Sequence, residues 1–79
     1  MSPDQATEEF LQLVRKDTGV SQRFLDAARP LVRRAFVEVP KERLQNCLNA
    51  IRTAIERQAE IEKLLVPTLF SNKDKQLVN

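Results

Sequence analysis

The sequence predicts an all-α fold: a small three-helix unit, two short helices packed on one long C-terminal helix, with a short extended tail. Three observations carry this. Apolar residues recur at helical spacing of three and four, from Ala6 to Leu65. The only glycine, Gly19, and the prolines Pro3, Pro40 and Pro67 stand where helices begin or end. Between Pro40 and Leu65 there is neither Gly nor internal Pro. The expected helices span about 2–18, 21–36 and 40–65. They form one domain over 1–66, with 67–79 as the tail.

The first helix has a complete start signal. Ser2 caps it, Pro3 suits the first helical position, and Gln5 completes an S-x-x-Q capping box. Asp4, Glu8 and Glu9 lie near the positive end of its dipole, Arg15 and Lys16 near the negative end. Ala6, Phe10, Leu13 and Val14 define an apolar stripe with Leu11 at its edge. Gly19 suits a left-handed C-terminal cap, because glycine adopts positive φ without Cβ strain.

Ser21 caps the second helix, with Val20 and Leu25 placed as a hydrophobic staple. Phe24, Ala28, Leu31, Val32 and Ala35 hold one phase, flanked by Leu25 and Phe36. Pro30 lies within that phase, so one kinked helix is favoured over two separated by a turn at Ala28-Arg29. Val37-Glu38-Val39 reads as an extended connector, since the residue before Pro40 is biased away from the helical region.

The third helix fits a heptad. Leu44, Cys47, Ile51, Ala54, Ile61 and Leu65 alternate at a and d, Gln58 is polar at an a site, and Leu48 and Ile55 widen the stripe. Gln58 reads either as a register-setting polar residue in a seam or as a partly wet edge. Val66-Pro67 is the expected stop.

Lengths then set a mismatch. The third helix is roughly 39 Å long and the first two roughly 24 Å each. Apolar surface toward Ala54–Leu65 therefore needs cover from the tail, a second copy or another protein. The expected protein-binding or dimer seam is Leu48, Ile51, Ile55, Ile61 and Leu65, with the tail pair Leu69 and Phe70. The tail run from Val66 to Phe70 either docks on a partner or packs on its own domain.

Composition narrows the chemistry. The chain has 79 residues with no His, Trp or Tyr and one Cys, so it has no intrachain disulfide and lacks the residues of most zinc, haem and iron–sulfur sites. The Cys–His and Ser–His nucleophile pairs are absent too. No catalytic residue, metal site or cofactor is expected. Cys47, within the apolar stripe, reads as a small hydrophobe before a redox thiol. Net charge is only +2, short of the basic excess a phosphate binder carries.

Arg23, Arg29, Arg33 and Arg34 give the second helix a basic face with Asp26 as its only acid within 21–36. That face reads as solvated or paired within the assembly, as a contact for an acidic partner, or as a phosphate contact. Nucleic acid is the alternative to a protein partner, disfavoured because Pro30 interrupts the helix and base-reading side chains are missing. No apolar run is long enough to span a membrane, and mixed charge on the third helix disfavours a membrane-surface role. A lone Cys and the absence of a secretory start suggest the cytoplasm. The functional expectation is a non-enzymatic interaction module, an adaptor, assembly factor or regulator.

Overall fold

In the computed structural model, residues 1–78 are described, with side chains described through Leu65. The chain forms α1 (Pro3–Thr18), α2 (Gln22–Glu38) and α3 (Lys41–Val78), with no strand among the described residues. The three helices pack on one another. α1 and α2 are antiparallel: Arg33 meets Asp4 and Arg29 meets Glu8. α2 and α3 are also antiparallel, since Ser21 before α2 meets Glu62 far along α3.

Local chemistry sets the boundaries. Ser2 Oγ accepts from the Gln5 amide at 3.1 Å, and the Ser2 amide donates to Gln5 Oε1 at 3.2 Å, closing the capping box. Gly19 takes φ 73°, ψ 15° and its amide donates to the Arg15 carbonyl. A Cβ added at Gly19 meets nothing within 4 Å, so only backbone strain opposes substitution. Gly19→Ala is therefore expected to cost about 1–2 kcal/mol in urea unfolding without changing the helical circular dichroism of the folded chain.

The core is one cluster drawn from all three helices: Leu11, Val14, Val20, Leu25, Val32, Ala35, Leu48, Ile51, Ile55 and Ala59. Phe10, Phe24, Phe36, Val39, Leu44 and Cys47 pack on its margin. Val20 and Leu25, the expected staple pair, are both buried. Two threonines complete the α1 face. Buried Thr7 and Thr18 donate to the carbonyls of Pro3 and Val14, each at 2.7 Å, which satisfies their hydroxyls inside apolar surroundings.

The structure differs from the expected pattern on α1, on α2 and at the connector. On α1 the buried line is Thr7, Leu11, Val14 and Thr18, while Leu13 is exposed. Hydroxyls that bond back to the helix let threonine stand in the core, and this rotates the stripe. On α2, Leu31 is exposed and Leu25 central, because α1 and α3 approach from the other side. The extended connector reduces to Val39 (φ −81°, ψ 129°) before Pro40; Val37 and Glu38 are helical. The Val39 amide still donates to Ala35, so α2 closes its last turn before Pro40 forces the chain out.

Of the two internal prolines, Pro30 leaves one continuous helix as expected, while Pro67 acts more weakly than expected. Pro30 lies inside α2, a single helix rather than two. The backbone of α3 is helical through Pro67 to Val78, so the stop at Val66-Pro67 and the extended tail are not present. A proline in a helix removes one donor and crowds one carbonyl, and a solvent-facing carbonyl recovers its bond from water. Leu69 and Phe70 thus lie on the backbone of α3. Their side chains lie outside the described residues.

Candidate protein-interaction face

Among the described residues, the α1–α2 hairpin is anchored to α3 as far as Glu62. The long axis of the molecule is 57 Å, the length of a 38-residue helix at 1.5 Å per residue, so α3 sets it. α1 and α2 have 16 and 17 residues. Among the described residues, the farthest anchor along α3 is Glu62. Its Oε1 accepts from the Ser21 amide at 2.8 Å, and its Oε2 accepts from Ser21 Oγ and from Gln58 Nε2, both at 2.8 Å. Ser21 Oγ in turn accepts from the Phe24 amide, so one residue caps α2 and ties the α1–α2 turn to α3. Gln58, half-buried, donates to this latch.

The latch is acid-sensitive. The Gln58 hydrogen bond, then those from Ser21, hold the Glu62 carboxyl below its ordinary pKa of 4.5. A lowered folded pKa contributes stability that is fully present above the unfolded value and is lost as pH falls through the folded one. Glu62→Gln is therefore expected to lower the melting temperature at neutral pH. The gap to the parent should narrow as pH drops below 4.5, which melts at stepped pH would record. A gap constant down to roughly pH 3 removes the latch from the account.

Around and just past Glu62, α3 carries large exposed apolar side chains. Ile61, Leu64 and Leu65 are 50%, 69% and 56% exposed, three large side chains within two turns of helix. Exposed Ala54 lies one heptad before Ile61 and continues the same side toward the bundle. Of the five expected seam residues whose side chains are described, Ile61 and Leu65 are on this open face. Leu48, Ile51 and Ile55 belong to the protomer's own core, and Ile55 is 1% exposed. Up to Ala59, α1 and α2 cover the a/e side of the stripe and leave Ala54 bare at d; Leu65, an a residue, is exposed because it lies past the Glu62 anchor. Leu64 joins the face from outside the heptad positions, where no repeat signals it.

The arginines of α2 are largely engaged. Arg29 Nε and Nη2 donate to Glu8 of α1, and its Nη1 donates to Asp26. Arg33 Nε donates to Asp4 at 2.7 Å, and Arg34 Nε to Glu38 at 3.1 Å. Across the other interface Arg52 of α3 donates to Asp17 of α1 at 2.7 Å and to Glu56. Hydrogen bonds to Glu8, then Asp26, raise the Arg29 pKa; Gln22, then Arg29, lower that of Asp26. These pairs are exposed and screened by salt, so they orient the helices more than they stabilise them. Arg23 is exposed on the same helix.

A shallow groove of about 320 Å³ runs between α1 and α2 on a floor of Leu11 and Leu25, with Glu8, Arg15, Lys16 and Arg29 along it. Its mixed charge, with Arg29 already bound to two carboxylates, selects no one ligand chemistry. No helix among the described residues is long and apolar enough to cross a membrane. Cys47 is a free, half-buried thiol at the margin of the core. The chain matches no protein-family model, no curated protein and no solved structure, so its geometry alone carries the functional reading.

Proposed function

We propose that this chain is a non-enzymatic interaction module, an adaptor, assembly factor or regulator, that binds protein through the part of α3 reaching past its own bundle. The observation that supports it is the trio Ile61, Leu64 and Leu65, exposed on a helix that the α1–α2 hairpin ceases to cover at Glu62. Clustered apolar exposure of this kind on a small protein supports reading the face as a contact site. Helix-in-groove or helix-on-helix docking suits its i, i+3, i+4 spacing.

The Arg face of α2 supports nucleic-acid binding less well. Arg29 and Arg33 are committed to acids of α1, and counterion release needs cations that reach phosphate.

The test is the double substitution Ile61→Asp/Leu65→Asp. It is expected to abolish association with protein while leaving helical content and the unfolding midpoint of the monomer within about 0.5 kcal/mol of the parent, because neither side chain is in the core. Loss of folding in the dilute monomer would place these residues in the core instead.

A further inference from the structure

We infer that the occupant of this face is an amphipathic helix of another protein, acidic beside its apolar stripe, lying along α3 from Leu64 back to Arg43. This rests on the interaction reading above and deepens it by giving the partner's chemistry. The open side of α3 is longer than the trio at its end. Ala54 stands seven residues before Ile61, and Arg57 and Ala50 stand seven and fourteen before Leu64; all are exposed. Half-buried Cys47 and exposed Arg43 continue the row. Steps of three and four keep these residues on one flank of the helix over roughly 32 Å. α1 lies on another side: Arg52 meets Asp17 of α1, and Ala54, two positions on, points away from it. α2 borders the flank with Leu31, which is 57% exposed. Arg33 meets Asp4 of α1, so Leu31, two positions earlier, also points away from α1. The antiparallel pairing that joins Ser21 to Glu62 sets Leu31 level with Ala50 and Ala54. The two alanines carry little bulk, so a helix can lie close over α3 there with Leu31 beside it.

Charge selects the partner. Arg43 and Arg57 are the charged residues of this row; both are exposed, and neither is in an ion pair among the described residues. Arg29, Arg33, Arg34 and Arg52, by contrast, each hold a carboxylate. The acids of α3 do not neutralise the two free arginines. Glu56 is held by Arg52, and Glu62 by Ser21 and Gln58. Glu42 and Glu60 lie off the row, and Glu60 makes no ion pair with Arg57 three positions away. Two cations fourteen residues apart on an apolar flank match a helix that carries Glu or Asp at the same spacing beside its own apolar stripe. A second copy brings the same two arginines and no acid in the row, so it satisfies the apolar surface and not the charge.

The experiment uses the full chain and a displayed library of helices of about 24 residues, long enough to span the row. Leu and Ala are fixed at the apolar positions of the library, and Glu, Gln or Lys are free at the flanking ones. Selection on the parent is expected to enrich Glu over Lys by roughly tenfold or more. Arg43→Glu/Arg57→Glu changes two exposed positions, so it should keep the parent's circular dichroism and reverse the preference to Lys. Ala54→Trp should abolish binding of the enriched helices. Selection that treats Glu and Lys alike, or a preference that Arg43→Glu/Arg57→Glu leaves unchanged, overturns the proposal. A chain that selects no helix also overturns it, and flotation of that chain with phosphatidylserine vesicles would make the cover a lipid surface. If helices blind to charge are selected and Ile61→Asp/Leu65→Asp abolishes their binding, the interaction reading survives without this partner; if no protein binds the face, both fall.

Discussion

Ile55→Ala is expected to cost about 2–5 kcal/mol, while Ile61→Ala costs less than about 0.5 kcal/mol in the dilute monomer. The two residues lie in one helix, six positions apart, and both fit an amphipathic stripe in the sequence. Ile55 is buried at 1% exposure among the three helices, so its truncation leaves a cavity lined by the core cluster. Ile61 is half exposed, and its truncation removes contact mainly with water. A chain this long has a total stability of roughly 4–12 kcal/mol, so the Ile55 variant falls close to the unfolding threshold. Urea unfolding of the dilute chain measures both. Equal losses at the two positions would refute the division between core and open face.

Pro30→Ala is expected to stabilise the chain by about 1–3 kcal/mol. α2 is one helix with Pro30 inside it and facing solvent, so the pyrrolidine ring packs nothing that alanine would lose. Alanine restores an amide that can donate to the Asp26 carbonyl and removes the steric conflict there. The preference for alanine over proline in a helix interior is about 3 kcal/mol, reduced by about 0.4–1 kcal/mol because proline also restricts the unfolded chain. For a domain of this size each kcal/mol moves the melting temperature by roughly 4–8 °C, well within the resolution of a thermal melt. A lower melting temperature would mean that Pro30 holds a bend on which the packing of α2 depends.

Much of the architecture was legible because its signals are local. Ser2 with Gln5, Gly19, and Ser21 with the Val20–Leu25 staple mark ends that depend only on neighbours within a few residues, and the structure places them as caps and core. The stops at Val66-Pro67 and at Val37 were misjudged for a related reason. Proline weights a helix against continuing without forbidding it, since it removes one donor and crowds one carbonyl but keeps a helical φ.

The candidate face was only half legible. Periodicity shows that α3 has more apolar positions than one flank can hold, and Ile61 and Leu65 are among those left exposed. It does not show which flank the hairpin takes, so Leu48, Ile51 and Ile55 were assigned to a seam and stand in the core. Nor does it mark Glu62, whose partner Ser21 is 41 residues away. The capped helix starts, the Gly19 stop, the all-α class and the excess length of the third helix follow from the sequence, since each is set by dihedral preference and spacing along one segment. The rotation of each helix, the pairing of Arg29 and Arg33 with Glu8 and Asp4, and the point where cover of α3 ceases come from tertiary structure alone. They depend on which of several near-equivalent faces bury the most together, and that is a property of three helices at once.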